Sequence, residues 1–146
     1  MYHVGTMELD YKALCDYASL SIDGKINILG IFQELNPSGF PCVVPNVFIV
    51  VSFKASPAEY EMEKSVKLVL VDPDGKQLLA AQGETIKIPR PRSPGSESRV
   101  NQIFGLQGIV VGRHGPYSFE ILVDNDTKGH IALLVNDAPK QQGGLQ

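Results

Sequence analysis

The chain of 146 residues contains no tryptophan, two cysteines and three histidines, and its net charge is only −3. Each shortage excludes something. Without tryptophan, and with tyrosines that do not cluster in the segments read below as loops, a carbohydrate-binding sandwich is disfavoured. Cys15 and Cys42 are too few for a disulfide framework and read as buried structural thiols. His3, His114 and His130 have no partner at the short spacings of zinc sites, and the cysteines make no zinc knuckle. No metal and no cofactor are therefore expected. The slightly acidic balance argues against a nucleic-acid partner, which calls for a basic face.

Long apolar runs are missing too. The densest stretch, Val43–Phe53, is interrupted by Pro45 and Asn46 and is far too short for a membrane helix. Met1–Asp10 has no basic region followed by an apolar run, so no secretory signal is visible. The expectation is a cytoplasmic protein with no membrane partner. No Gly-rich loop precedes a helix, so no phosphate cradle is expected.

What the chain does have is a recurring turn signal. Ile22-Asp23-Gly24-Lys25, Asp72-Pro73-Asp74-Gly75 and Asp124-Asn125-Asp126-Thr127 each interrupt alternating apolar runs, and Asp-Gly between two such runs is the strongest short-range hairpin signal. Strands are predicted at 12–21, 25–35, 47–54, 64–72, 77–88, 100–111, 117–124 and 129–135. Ser56–Lys64 is too short and polar for a stable helix. The pattern predicts an all-β fold, an antiparallel β-sandwich of about eight strands, Ig-like or jelly-roll-like. The divisions are an N-terminal extension at 1–10, one sandwich domain at 11–136 and a disordered polar tail at 137–146.

Taking Asp23-Gly24 as a two-residue turn pairs Ser19 with Ile28, Tyr17 with Gly30 and Cys15 with Phe32, so that Tyr17 lies across Gly30. The opposite face then carries Leu14, Ala18, Leu29 and Ile31. Val47–Val51 and Leu68–Val71 are also apolar on both faces, the mark of strands covered on both sides. A sandwich buries one face per strand, so self-association, most simply a two-fold dimer, or another protein partner is expected over these residues.

If every connection reverses direction, the Asp23-Gly24 turn, the segment around Glu59–Glu61, the Pro89–Ser98 loop and Asn125–Lys128 share one end. Asn36–Pro45, Asp72–Lys76, Gly112–Pro116 and the tail share the other. The Asp-rich turns tempt a calcium reading. The second places Lys128 at a ligand position and Val135 where the bidentate Glu belongs, and Asp and Asn favour tight turns on local grounds. Cys42, His114 and Asp74 fall at one end, but no local signature makes them a nucleophile, base and orienting group. No catalytic residue is assigned and no enzyme activity is expected. The odd segment is Ile88–Arg99, with Pro89, Pro91, Pro94, Arg90, Arg92 and Arg99, an extended loop that reads first as a mobile linker kept soluble by charge and otherwise as a recognition loop for an acidic surface or a peptide-binding domain. Candidate interaction residues are Leu29, Ile31, Arg90, Arg92, Arg113 and His114. The alternatives are a small-ligand or carbohydrate-binding sandwich and a hydrolase-type enzyme.

Leu14-Cys15-Asp16-Tyr17-Ala18 followed by Asp23–Phe32, with Phe40-Pro41, Val71–Gly75 and Gly115–Ile121, resembles an uncharacterised bacterial family of small stand-alone proteins, a domain of unknown function. The resemblance covers 14–135. It implies a β-sandwich in a bacterial, cytoplasmic setting and supplies no activity, cofactor or site residue.

Overall fold

Alternation of apolar and polar residues places the inner face of each strand. In Tyr117-Ser118-Phe119-Glu120-Ile121-Leu122-Val123 the odd positions are all buried and the even ones are half-exposed, the period of a strand with one face in the core. The computed structural model describes residues 7–79 and 82–139. Among them nine strands form: β1 Glu8–Leu20, β2 Ile26–Ile31, β3 Glu34–Leu35, β4 Cys42–Ala55, β5 Glu63–Val71, β6 Gln82–Lys87, β7 Ser98–Val111, β8 Gly115–Val123 and β9 Asp126–Val135. They make two sheets, β2-β1-β4-β7 and β3-β9-β8-β5-β6. Every named pair is antiparallel except β3 with β9. The fold is thus the antiparallel β-sandwich expected. Pro57–Glu59 is a single 3₁₀ turn, and no helix among the described residues is long and apolar enough to cross a membrane.

Val47, Ile49, Val51 and Phe53 of β4 meet Val66, Leu68 and Leu70 of β5 and Tyr117, Phe119 and Ile121 of β8 in one core. Each such side chain contributes about 1.5–3 kcal/mol on burial. β1 starts at Glu8, and Met7 is buried in the core, so the sandwich reaches into the segment read as an extension. Residues 1–6 and most of the polar tail, 140–146, lie outside the described residues.

The first hairpin corrects the predicted register by one residue. Ser21 N–H donates to Lys25 O at 2.8 Å and Gly24 N–H to Ser21 O at 2.9 Å. The loop is therefore Ile22-Asp23-Gly24, a three-residue turn closed by Gly24 at φ +86°, where the left-handed region favours glycine. Asp72–Lys76 repeats this construction, with Asp72 N–H donating to Lys76 O at 2.8 Å. The pairs become Ser19 with Asn27, Ala18 with Ile28, Tyr17 with Leu29 and Cys15 with Ile31. Gly30 lies beside Asp16, not Tyr17: a Cβ on Gly30 would sit 2.8 Å from Asp16 Cγ. Only the third turn is a two-residue loop, Asp124-Asn125, with φ of 49° and 66° and Val123 paired with Asp126.

The run 25–35 is not one strand. β2 descends beside β1 as far as Ile31, and the chain then crosses to the other sheet, where β3 runs parallel to the end of β9. Phe32 N–H donates to Leu14 O at 3.0 Å and Leu134 N–H to Gln33 O at 2.9 Å, tying the crossing to both sheets. This extra reversal breaks the expected sorting of loops. Since Leu20 lies beyond Cys15, whose partner is Phe48, the Ile22–Gly24 turn sits at the end where β4 begins. That is the end of Asp72–Lys76 and Gly112–His114, opposite the Arg-Pro loop. Within that loop Pro89–Glu97 lies outside the strands, and Ser98 already pairs with Ala55 in β7.

β4 and β7 share a second irregularity. Their register holds one offset from Ala55–Ser98 to Cys42–Val111, yet the buried positions change phase. On β4 they pass from Val47, Ile49 and Val51 to Val44, and on β7 from Phe104 and Leu106 to Ile109 and Val111. The change falls at Pro45 and Gly108, which face each other in the ladder. Gly108 has φ +68° and Pro45 has no N–H to donate. Both strands kink together, so the inner face stays apolar. This is the physical role of the proline that interrupts the apolar run.

Candidate interaction surface

The same alternation that sends Ile49 and Val51 to the core sends Phe48 and Val50 to the other face of their sheet. There they join a second cluster, Ala13, Cys15, Ala18 and Val50, with Ile26, Ile28, Phe48 and Ile103 packed against it. Val50 and Cys15 are fully buried although they face away from the core. The Cys15 thiol donates to Phe48 O at 3.5 Å, and burial pushes its pKa up, so the sulfur stays a protonated, inert core atom. Phe48 lies over Gly105, where a Cβ would come within 3.0 Å of the ring. Tyr17 packs edge-on against Phe48 with ring centroids 5.1 Å apart.

Of the two apolar strands read as covered on both sides, Val47–Val51 of β4 is so covered, while β5 buries Leu68 and Leu70 and leaves Val69 and Val71 half-exposed. β4 is central and buries both faces within its own chain. Leu14 belongs to the main core and Ala18 to the second cluster, which corrects their placement as outward residues. Leu29 and Ile31 are exposed, 65% and 54%, but they pair with Tyr17 and Cys15 and so share the Tyr17 face instead of lying opposite it. Tyr11, Tyr17, Leu20, Ile22, Leu29, Ile31, Val43 and Val110 are the large exposed apolar side chains of this sheet and its turn; the other sheet and its connections expose Met62, Leu78 and Leu134. Val43 pairs with Val110 just past the Pro45–Gly108 kink. Sequence reasoning missed that pair because simple alternation does not anticipate two strands changing phase together. The signal was there in Pro45 and Gly108.

Charge closes this face at the end where β4 finishes. Arg99 donates to Asp10 and, at 3.1 Å, to Glu97, while Lys54 stands 3.5 Å from Asp10 and 3.7 Å from Glu97. The Arg99 hydrogen bond holds the Asp10 carboxyl below its usual range, with partial desolvation opposing it.

The charged candidates lie elsewhere. Arg90 is 3.4 Å from Glu61 and stands over the Tyr60 ring at 6.0 Å; Arg92 is exposed in the loop. Arg113 pairs with Asp74 at 2.5 Å, which raises its pKa further, and His114 is 3.8 Å from Asp137. These contacts brace the β5–β6 turn, the β7–β8 turn and the segment that follows β9. They leave Arg113 and His114 far from Arg90 and Arg92, at opposite ends of the sandwich. No group of three or more His, Cys, Asp or Glu side chains among the described residues is placed to hold a metal ion.

A groove of about 680 Å³ opens where β2 leaves β1, lined by Leu14, Phe32, Ile131 and Leu134 with Lys12, Glu34 and His130. The Lys12 ammonium spans it to His130 O at 2.5 Å.

The architecture defines a two-sheet antiparallel sandwich with one apolar outer face. The chain belongs to a family described as a family of unknown function (DUF6941), which matches residues 10–136. No curated protein sequence matches it. Among solved structures it is similar to a β-glucosidase from Listeria innocua in complex with isofagomine, with a TM-score of 0.52 and 11% identity over 92% of this chain and 16% of the enzyme. At that identity the likeness shows the fold alone. An alkylpurine DNA glycosylase from Pseudomonas fluorescens bound to abasic-site DNA aligns with a TM-score of 0.49 at 9% identity, covering 88% of this chain and 30% of that one. An immunoglobulin-like protein from Pseudomonas aeruginosa aligns at 0.45 and 12% identity, covering 91% and 98%. The chain thus spans less than a third of the glycosylase and of the glucosidase.

Proposed function

We propose that this chain is a non-enzymatic binding module that works through protein–protein contacts made on the outer face of the β2-β1-β4-β7 sheet. The observation that carries the reading is the concentration of exposed apolar side chains on that sheet, Tyr11, Tyr17, Leu29, Ile31, Val43 and Val110 foremost. At about 150–250 Å² per large side chain, their exposed fractions amount to on the order of 500 Å², the upper range tolerated on a free monomer surface. Aromatic anchors around a dry centre, with ion pairs at the rim, are the usual anatomy of a contact surface. The test is native mass spectrometry of particles taken from cells that make the protein. The wild-type chain is expected above the mass of one copy. Leu29→Lys with Ile31→Lys should strip the companion while circular dichroism keeps its strand signal. A bare monomer for the wild type, or a particle whose mass both lysines leave unchanged, overturns the proposal.

A second reading, a small-ligand site, draws on the groove beside Lys12 and Phe32. It would show as a ligand that Phe32→Ala releases and Leu29→Lys does not.

A further inference from the structure

Both sheets end in strands whose outer backbone groups face away from the ladder, and a protein normally blunts such edges with charge, brevity or a bulge. The unpaired part of β1 carries Glu8, Asp10 and Lys12, β9 carries Asp126, Lys128 and His130, and β6 carries Glu84 and Lys87. β2 has no charge, but it is six residues long and contains Gly30 at φ +69°. β7 is the exception. It is a 14-residue edge strand with no charged residue between Arg99 and Arg113. Its named strand partner is β4 alone, so every second residue from Val100 to Gln107 directs its N–H and C=O away from the molecule.

We infer that β7 is a self-pairing edge: two copies of this chain join β7 to β7 antiparallel about a two-fold axis, making one continuous eight-stranded sheet. The occupant is a second copy because the charge pattern suits self-pairing. A two-fold pairing sets residue i against residue c − i, and the sheet faces match only when the axis passes through a residue. With the axis at Phe104, Asn101 meets Gln107 and Arg99 meets Ile109, so no like charges face each other. The other long edges would oppose two charged strands. The straight portion, Val100 to Gln107, spans roughly 27 Å at about 3.4 Å per residue, and it stops where Gly108 turns the strand. Ile103 belongs to both the edge and the outer apolar cluster, so pairing would set two apolar faces side by side. The inference rests on reading the chain as a contact-forming module; it adds a second copy of the chain as a partner at a second contact region, distinct from Leu29 and Ile31 on the opposite edge of the sheet.

The test is sedimentation velocity and amide exchange by NMR on the purified full chain from 1 to 300 μM. A dimer is expected, with alternate amides of Val100–Gln107 exchanging slowly at high concentration and fast on dilution. Asn101→Lys with Gln107→Lys places lysines opposite lysines and should weaken the dimer at least 100-fold. The β4-facing amides of β7 serve as the folding control and should stay protected in that variant. Leu29→Lys with Ile31→Lys should leave the β7 protection intact, which separates this edge from the outer-face reading. A concentration-independent monomer overturns the inference. So does a dimer that keeps its affinity in the Asn101/Gln107 variant, or one whose outward β7 amides exchange freely.

Discussion

Lys64→Met should be among the most damaging single substitutions in this chain, although Lys64 lies near the surface. The reason is Glu59. Its side chain is fully buried, while that of Lys64 is 13% exposed. One carboxylate oxygen accepts from Ser56 N–H at 3.1 Å and Ser56 hydroxyl at 3.3 Å. The other has no hydrogen bond and stands 3.5 Å from Lys64 Nζ. Lys64 also has Asp124 at 3.7 Å, but Asp124 is half-exposed and well solvated. Removing the ammonium leaves a buried carboxylate without its cation, which costs about 3–5 kcal/mol, whereas a pair of exposed charges would cost at most about 1 kcal/mol. Urea unfolding reads the difference. With an m-value of about 2 kcal/mol per M, the midpoint should fall by roughly 2 M. Glu59→Gln keeps the acceptor for Ser56 and removes the charge, so Lys64→Met in that background should cost under about 1.5 kcal/mol. The coupling between the two positions is the quantity to measure. A Lys64→Met loss below about 1 kcal/mol, or equal losses in both backgrounds, would refute the claim that this ion pair holds the β4–β5 connection.

Two further outcomes follow from the outer sheet. Gly108→Ala places a side chain at φ +68° with open space around the new Cβ; backbone strain is then the whole cost, about 1–2 kcal/mol by urea titration, and a neutral result would remove the kink's dependence on glycine. Asp10 is held below its usual value near 4, so its contribution is complete above that value and disappears as pH falls through the depressed folded value; Asp10→Asn should lower the urea midpoint at pH 7, and the gap should shrink as the pH falls below that usual value, whereas a gap widening on acidification would contradict the sign.

The architecture was legible because its signals are local. Alternation in Tyr117–Val123 and the Asp-rich turns report on residues next to one another, and they place most of the strands. The register of the first hairpin was not legible, because Asp-Gly fits a two-residue turn and a three-residue turn equally well; the choice shows only in Ser21 and Lys25 closing the loop. The split between β2 and β3 was hidden for a related reason. Lys25 to Leu35 reads as one strand, and the crossing at Phe32-Gln33 is set by what Leu14 and Leu134 offer across the gap between the sheets.

The candidate surface was legible in the same measure. Leu29 and Ile31 are exposed, though the register moves them to the Tyr17 face, while Leu14 and Ala18, read in the same pattern, are buried. The difference lies in sheet position. β1 is flanked by β2 and β4, and β2 has an open edge, so equal hydrophobicity gives burial in one strand and exposure in the next. Strand order is a long-range property that no single stretch encodes, and the functional argument turns on it. The Val43–Val110 pair becomes outward only because Pro45 and Gly108 shift phase together. β7 becomes an edge only because the chain passes from it directly to β8 in the other sheet. Arg90, Arg92, Arg113 and His114 drew notice as charges in loops. The structure gives Arg90, Arg113 and His114 nearby acidic partners, and it moves the weight of the interaction argument from charge to the uncharged face and edge of one sheet.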